Sequence, residues 1–237
     1  MDFKLVRVSF ISDKANNLHQ FKQHKRNGSN YNQLEIIDNS QDKIIKDIPM
    51  MLRRRLTPST KYCVGLAIDM LNHCALNKQV VDKIIFSSFS GEASRCVNLL
   101  SEMVLDKGLS PMEFSASVHN SSVGVCSIAQ KFHGETTAIS AEKGSLTAAL
   151  VEAYASLYGQ GLNRVLVVAY EGMVDNPKMK IPNVEQFYGN HAFSMLLEKV
   201  DDECKSLSVN SIEDNSLLSF DVEKCSKFNS VEFLSWI

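Results

Sequence analysis

The sequence predicts an α/β fold in which helices cover a mixed β-sheet, and two patterns support this prediction. Apolar runs of strand length alternate with longer segments in which apolar residues recur every three or four positions. One run, residues 164–170 (RVLVVAY), is apolar throughout, which is typical of a parallel strand covered on both faces. The 237 residues, with 44% apolar content and no internal repeat, fit a single domain over residues 1–237.

The chain is predicted to begin with a strand, a polar loop and a helix. Residues 3–11 alternate in polarity as a strand does. Residues 13–43 are rich in Asn, Gln, Lys, His and Ser, and this composition predicts a long surface loop. Thr57 followed by Pro58 is a helix start signal, and the apolar residues after it give the predicted helix one apolar side.

A second strand and a second helix are predicted to follow. Residues 83–89 form a short apolar run of strand length. Gly91 then turns the chain into a helix that ends near Lys107 and Gly108, a cation in the last turn followed by a capping glycine. The apolar face of this helix comprises Ala93, Cys96, Val97, Leu100, Met103 and Val104.

The stretch 110–149 is predicted to be the centre of the fold. It contains an extended lead-in at 114–118, a short helix at 122–131, a strand at 136–140 and a sharp bend at 141–144. A strand-to-helix bend of this kind exposes one side chain at a helix N-terminus, where free N–H groups favour an anion or a nucleophile. A long helix follows, with an apolar stripe formed by Leu146, Ala149, Leu150, Ala153, Tyr154 and Leu157.

The last part of the chain is predicted to complete the sheet. Residues 192–198 and 207–212 have strand patterns. The tail 201–237 is acidic and polar at first and ends in the apolar sequence VEFLSWI, which we expect to dock on the body of the protein.

Composition argues against several classes of function. The net charge of −2 provides no field that would gather nucleic acid or an anionic membrane. No apolar run approaches the roughly 20 residues that a membrane-spanning helix needs. The N-terminal residues mix charges among the apolar side chains and lack a signal-peptide core, so a cytoplasmic location is expected.

The cysteines and the known short motifs point to neither a metal nor a cofactor. The six cysteines are scattered without a C-x-x-C pair, so we expect reduced and mostly buried side chains. The sequence contains no Gly-rich phosphate loop, no H-E-x-x-H and no carboxylate-rich metal loop. No cofactor is therefore expected.

Several segments of the chain match one protein family. They are PMMLRRRLTPST (49–60), IIFSSFSGEASRCVNLL (84–100), SP (110–111), SVHN (117–120), G-x-x-SIA (124–129) and G-S-L-x-x-A-L (144–150). Over residues 47–170 the chain resembles the N-terminal half of a β-ketoacyl synthase. More specifically, it is similar to the short ketosynthase-like chain length factors of aryl polyene clusters. The resemblance implies a thiolase-like fold with a mixed sheet.

The resemblance also identifies the bend at 141–144 as the position of the catalytic nucleophile. Active ketosynthases carry a cysteine there, served by two histidines from the second half of their fold. The alignment puts Glu142 at the cysteine position, and no cysteine lies between residues 131 and 170. The chain ends at Ile237, before the half that would carry the histidines. We therefore expect a subunit that is not an enzyme, with Glu142 at a vestigial nucleophile position.

The resemblance further implies a partner. Ketosynthases are dimers, and here their interface corresponds to residues 114–140. We expect pairing with a complete, active β-ketoacyl synthase, whose acyl tunnel this chain would help to wall, and contact with acyl carrier protein through that complex. The apolar stripe at Leu146, Leu150 and Leu157 would need cover from the C-terminal tail or another chain. The expected interface and tunnel residues are Phe114, Val118, His119, Asn120, Val123, Val125, Ile128, Thr137, Ile139 and Ser140.

Two alternative functions remain open at this point. A homodimeric docking module could bind the acidic acyl carrier protein through residues 53–55 or the basic segment 22–26. A stand-alone acyl-transfer or decarboxylating enzyme could use Glu142 or Cys126, although a buried structural role is expected for Cys126. His119 could contact a partner subunit, or it could bond to a neighbouring backbone group.

Overall fold

A computed structural model describes residues 1–15, 19–20, 23, 42–172, 189–201, 205–206 and 216–219. Most of the predicted loop at 13–43, the predicted strand at 207–212 and most of the tail at 201–237 lie outside these residues. The strands are β1 (Asp2–Ser12), β2 (Lys83–Ser87), β3 (Glu135–Ile139), β4 (Arg164–Glu171), β5 (His191–Glu198), β6 (Lys205–Ser206) and β7 (Ser216–Ser219). The helices are α1 (Lys43–Lys46), α2 (Met50–Arg53), α3 (Pro58–Leu76), α4 (Ala93–Val104), α5 (Pro111–Ala116), α6 (Ser121–Gln130) and α7 (Ser145–Tyr154), and a π-helical turn (Ala155–Gly159) continues α7.

The described strands form one mixed sheet, in the order β3-β2-β4-β5-β1-β7-β6. Strands β3, β2 and β4 are parallel, whereas β5 is antiparallel to both β4 and β1. The predicted α/β fold with a mixed sheet is therefore confirmed. Strand β3 stands at one edge of the sheet, and β2 is its only strand neighbour in the described part of the chain.

Helices cover both faces of the sheet. In β4, Val165 and Val167 pack in one core with α7, whereas Leu166 and Val168 pack in a second core with α3 and α6. Side chains of a strand alternate between the two faces, so these two cores lie on opposite sides of the sheet. The prediction that residues 164–170 form a strand covered on both faces is confirmed. Among the described helices, none has the length and apolar character needed to cross a bilayer.

Asp82 aligns the starts of the three parallel strands. Its carbonyl oxygen accepts the N–H of Glu135 at 3.0 Å, and its N–H donates to the carbonyl of Arg164 at 3.0 Å. Its carboxylate accepts the N–H groups of Asn163 (2.8 Å) and Arg164 (2.9 Å). One residue before β2 thus fixes where β3 and β4 begin. Because these strands have a common start, the loops after them gather at the opposite end of the sheet.

Two predictions about local structure are wrong. Residues 114–118 are not extended, because Ser110 and Pro111 begin a helix, α5, whose first turn is capped when the Ser110 hydroxyl accepts the N–H of Glu113 at 3.4 Å. The stripe at Leu146, Leu150 and Leu157 needs no cover from the tail or another chain. The chain's own sheet buries it completely or nearly so.

Candidate functional site

The bend between β3 and α7 is a tight elbow with a strained centre. Glu142 has a backbone φ of +49°, a left-handed conformation that residues other than glycine rarely adopt. The buried Ser145 hydroxyl accepts the N–H of Ala141 at 2.9 Å and donates to the carbonyl of Glu142 at 2.6 Å. The elbow is further closed by a hydrogen bond from the N–H of Gly144 to the carbonyl of Ala141 at 2.9 Å. The sharp bend predicted at 141–144 is confirmed.

The strained position carries a carboxylate that faces solvent. The Glu142 side chain is exposed at the N-terminal end of α7, where the helix dipole favours a negative charge. A carboxylate can occupy this place comfortably. It cannot replace a thiolate as an acyl carrier, because acylation would give a mixed anhydride rather than a thioester.

Strain at the elbow gives a testable expectation for stability. The Glu142→Gly variant is expected to be about 1 kcal/mol more stable than Glu142→Ala, because glycine adopts positive φ without steric cost. Chemical denaturation of both variants measures the difference, and both lack the carboxylate, so its interaction with the helix dipole cancels. Equal stability of the two variants would contradict a strained elbow.

Cys126 is placed for packing and not for chemistry. Its thiol is fully buried between α6 and α3, and burial raises its pKa to about 12. A thiol with that pKa is protonated near neutral pH and is a poor nucleophile. Burial also raises the pKa of the neighbouring Cys63 thiol well above its ordinary value. The expected burial of Cys126 is confirmed.

His119 links the segment before α6 to the C-terminal end of the edge strand β3 by a hydrogen bond. Its Nε2 donates to the carbonyl of Ile139 at 3.1 Å, which is the backbone contact that one of the two interpretations predicts. The ring lies against Gly91, which has a φ of +48°, and a Cβ added to Gly91 would approach Nδ1 to 2.6 Å. Glycine is needed at position 91 for both reasons.

The remaining candidate residues divide into an exposed group and a buried one. Phe114 (63% exposed) and Ile128 (71% exposed) are the most open of the apolar members. Val123 is buried in the core between α6 and α3, so it belongs to the interior rather than to a surface. The other members are exposed (Val118, Asn120 and Ser140) or half-buried (Val125, Thr137 and Ile139).

The exposed apolar surface extends beyond the predicted interface residues, onto α4. The C-terminal half of the predicted apolar face of α4 is open to solvent, and Val104 is 86% exposed, whereas Val97 in its first half is buried. We call the following set the α4–α5 surface: Leu100, Met103, Val104, Leu105, Leu109, Met112 and Phe114. The signal was present as a helical stripe, but periodicity cannot tell whether a stripe faces the protein core or a partner.

An ion-pair cluster beneath this surface holds α4 and α5 together. Arg95 of α4 contacts Glu92 (3.2 Å between Nε and Oε2) and Glu113 of α5, and it donates to the carbonyl of Arg55 at 2.9 Å. The carboxylate of Glu92, which is almost fully buried, also accepts the hydroxyl of Thr60. We call these residues the Arg95 cluster. Nothing in the sequence pattern singled it out.

Of the three arginines proposed for carrier docking, one is hydrogen-bonded to the backbone and two are exposed. Arg53 donates to the carbonyl of Ile45 at 3.4 Å, whereas Arg54 and Arg55 are exposed. The basic segment 22–26 lies outside the described residues except for Gln23. The described residues also contain no cluster of His, Cys, Asp and Glu that could hold a metal ion.

Solved structures with the same fold include ketosynthases and their complexes. A chain from the complex of the ketosynthase ApeO with its chain length factor ApeC from Xenorhabdus doucetiae superposes with a TM-score of 0.71 at 24% identity, covering 85% of this chain and 81% of that one. The ishigamide ketosynthase/chain length factor superposes with a TM-score of 0.61 at 13% identity, and the match covers 84% of this chain and 62% of that one. A chain of AntDE:AntF, a type II polyketide complex of a ketosynthase with its acyl-carrier protein, superposes with a TM-score of 0.60 at 15% identity. The match covers 84% of this chain and 63% of that one. At these identities the likeness establishes the fold alone, and the chain spans less than two thirds of the last two chains.

Sequence comparison assigns the family. No curated protein matches the sequence. The family described as β-ketoacyl synthase, N-terminal domain, matches residues 25–237, which is most of the chain. The protein therefore belongs to the β-ketoacyl synthase N-terminal domain family.

Proposed function

We propose that this chain is a chain length factor, a non-catalytic ketosynthase-like subunit that pairs with an active β-ketoacyl synthase and helps to shape its acyl tunnel. The observation that carries the proposal is Glu142. The strand, the strained turn and the helix of a nucleophile elbow are all in place, but the residue at the strained position is a carboxylate. The chain therefore offers the scaffold of the site without its nucleophile.

Two features of the molecule support a protein partner. The α4–α5 surface and Ile128 expose large apolar side chains to water, and exposed apolar patches on soluble proteins usually mark interaction sites. In addition, β3 lies at an edge of the described sheet and has no second strand neighbour there, and an open strand edge can pair with another chain. A ketosynthase partner fits the family membership and two structurally similar complexes, in each of which a ketosynthase is paired with a chain length factor.

The proposal places the chain in the elongation of a polyketide or fatty-acid-like product. The resemblance of segments 49–60, 84–100 and 110–150 to chain length factors of aryl polyene clusters supports an aryl polyene as that product. Acyl carrier protein would deliver substrate to the complex rather than to this chain alone. The cytoplasmic location expected from the sequence belongs to the same proposal.

Charge placed on the exposed face tests the partner. We expect Phe114→Asp or Ile128→Asp to weaken binding to the β-ketoacyl synthase of the same gene cluster by at least tenfold, because a carboxylate would be buried at an apolar contact. Co-expression followed by size exclusion and native mass spectrometry measures the loss. Val200→Asp is the matched control, since Val200 is exposed but follows β5, three strands away from β3.

The two outcomes of this experiment separate the alternatives. A stable mixed complex that Phe114→Asp disrupts and Val200→Asp preserves supports the proposal. A monodisperse protein that does not bind the ketosynthase contradicts the proposal.

The carrier-docking alternative is favoured by the exposed Arg54 and Arg55. It predicts that Arg54→Glu with Arg55→Glu leaves subunit pairing intact and slows turnover of the complex.

A further inference from the structure

Helix α7 is apolar on the side that faces away from the sheet as well as on the side that faces it. Its inner side is the buried stripe, which packs against the strands. On the outer side, Ala148, Val151, Ala155 and Tyr158 follow one another at intervals of three and four residues. Val151 is 42% exposed and Tyr158 is 41% exposed. We call these four residues the outer stripe.

None of the four residues of the outer stripe has a charged side chain, so the stripe lacks the charged groups typical of a solvent-exposed helix face. Over residues 145–159 the only charged side chain is Glu152, and its carboxylate is bound to the buried Lys83 ammonium at 2.6 Å. A helix with apolar residues all round is normally enclosed. The described residues cover the inner side of α7 and reach the outer stripe at Tyr158, whose ring lies 5.9 Å from the Lys199 ammonium. The part of the outer stripe around Val151 therefore calls for an additional element.

The course of the chain brings one particular segment to this helix. Strand β7 is antiparallel to β1, and its last residue, Ser219, lies opposite Asp2. The carbonyl of Asp2 accepts the hydroxyl of Tyr158 at 3.2 Å, and the same hydroxyl accepts the N–H of Val200 at 3.1 Å. Ser219, the last residue that the structure describes, therefore lies beside the C-terminal end of the outer stripe.

We propose that the C-terminal segment 231–237 of this chain lies on the outer stripe of α7. Five of the seven residues in VEFLSWI are apolar and one is charged, so its composition matches the stripe. The connection from Ser219 to residue 231 can span about 40 Å at roughly 3.3 Å per residue. The stripe from 148 to 158 is only about 15 Å long at 1.5 Å per residue. The segment reaches the whole stripe without strain.

This contact is separate from the surface assigned to the ketosynthase partner. Ile128 lies on α6, which packs with α3 on the other face of the sheet, whereas α7 packs on the face that includes Val165 and Val167. A partner bound at Ile128 would therefore lie on the opposite face of the sheet from the outer stripe. Failure of the proposed pairing and failure of tail docking are thus distinguishable results.

Photocrosslinking from the stripe identifies its occupant directly. Benzoylphenylalanine replaces Val151 in the full-length chain, alone and in complex, and mass spectrometry locates the attached peptide after irradiation. The expected product is an intrachain link to the peptide containing residues 231–237. The same probe at Ile128 is the matched control and is expected to give no such link. Attachment to a second copy or to a partner protein, or no protein adduct from Val151, would overturn the proposal.

The single tryptophan of the chain gives an independent reading. Trp236 lies within the proposed segment and is the only tryptophan in the sequence. In the isolated full-length protein its emission is expected at shorter wavelength than that of free tryptophan, and Val151→Asp is expected to shift it to longer wavelength. Ile128→Asp is expected to leave it unchanged. A wild-type emission equal to that of free tryptophan would overturn the proposal even if the Val151 variant failed to fold.

Discussion

Replacing Arg95 with methionine is expected to lower the free energy of unfolding by about 3–5 kcal/mol. Methionine keeps most of the side-chain volume but removes the positive charge from the Arg95 cluster. The carboxylate of Glu92, whose side chain is 1% exposed, would then lose its cationic partner while remaining inside the protein. The carbonyl of Arg55 would also lose its donor. Urea denaturation with an unchanged m-value measures the effect.

The double variant Glu92→Gln with Arg95→Met is the control for this prediction. If the loss comes from an unpaired buried charge, removing that charge as well should restore a large part of the stability. The hydroxyl groups of Thr57 and Thr60 can still donate to the amide oxygen at position 92. The pair Arg95–Glu113 contributes less, because Glu113 is 43% exposed and its interaction is screened by solvent. A double variant as unstable as Arg95→Met alone would show that lost packing, not charge, dominates.

Local signals were sufficient to predict most of the elements. The helix start at Thr57 and Pro58 is confirmed, since the Thr57 hydroxyl accepts the N–H of Thr60 at 3.4 Å. The strand predicted at 136–140 is confirmed as β3, and the run at 164–170 as β4. Each of these features depends on neighbouring residues or on a strong apolar run. Ser110 followed by Pro111 is a start signal of the same kind, and this is why the extended segment predicted at 114–118 is wrong.

The direction in which an apolar stripe faces could not be predicted from periodicity. The stripes at Leu146–Leu150 on α7 and at Leu100–Val104 on α4 have similar spacing, yet the first is buried and the second is exposed. The difference arises from which strands lie beside each helix, and that is a property of chain topology. The Arg95 cluster is equally hidden in the sequence. It joins Thr60, Glu92 and Glu113, which are separated by 32 and 21 positions along the chain.

The candidate site was located by its backbone and not by its chemistry. A strand followed by small residues and a helix predicts an elbow, and the family resemblance assigns Glu142 to its centre. The positive φ of Glu142 and the two hydrogen bonds of Ser145 come only from the structure. Partner binding involves a second molecule, so the sequence of one chain does not determine which exposed residues take part in it.

Replacing Glu171 with alanine is expected to lower the free energy of unfolding by about 3 kcal/mol. Glu171 ends β4, and its half-buried carboxylate organises the turn between β2 and α4. It accepts the N–H groups of Phe89 (2.7 Å) and Ser90 (2.9 Å) and the hydroxyls of Ser88 (3.2 Å) and Ser90 (2.5 Å). Alanine would leave these four donors without their acceptor, and hydrogen bonds to a charged group are stronger than neutral ones.

Glutamine at position 171 separates the contribution of charge from that of shape. Its amide oxygen can accept one or two of the four donors, but its NH₂ group would face the others, so we expect a loss of about 1–2 kcal/mol. The turn continues through Gly91 to His119 and the end of β3. Glu171→Ala is therefore also expected to weaken binding to the proposed ketosynthase partner, whereas Glu142→Ala is not. An alanine variant as stable as the wild type would mean that water replaces the carboxylate at no cost, and the turn would then not depend on β4 for its shape.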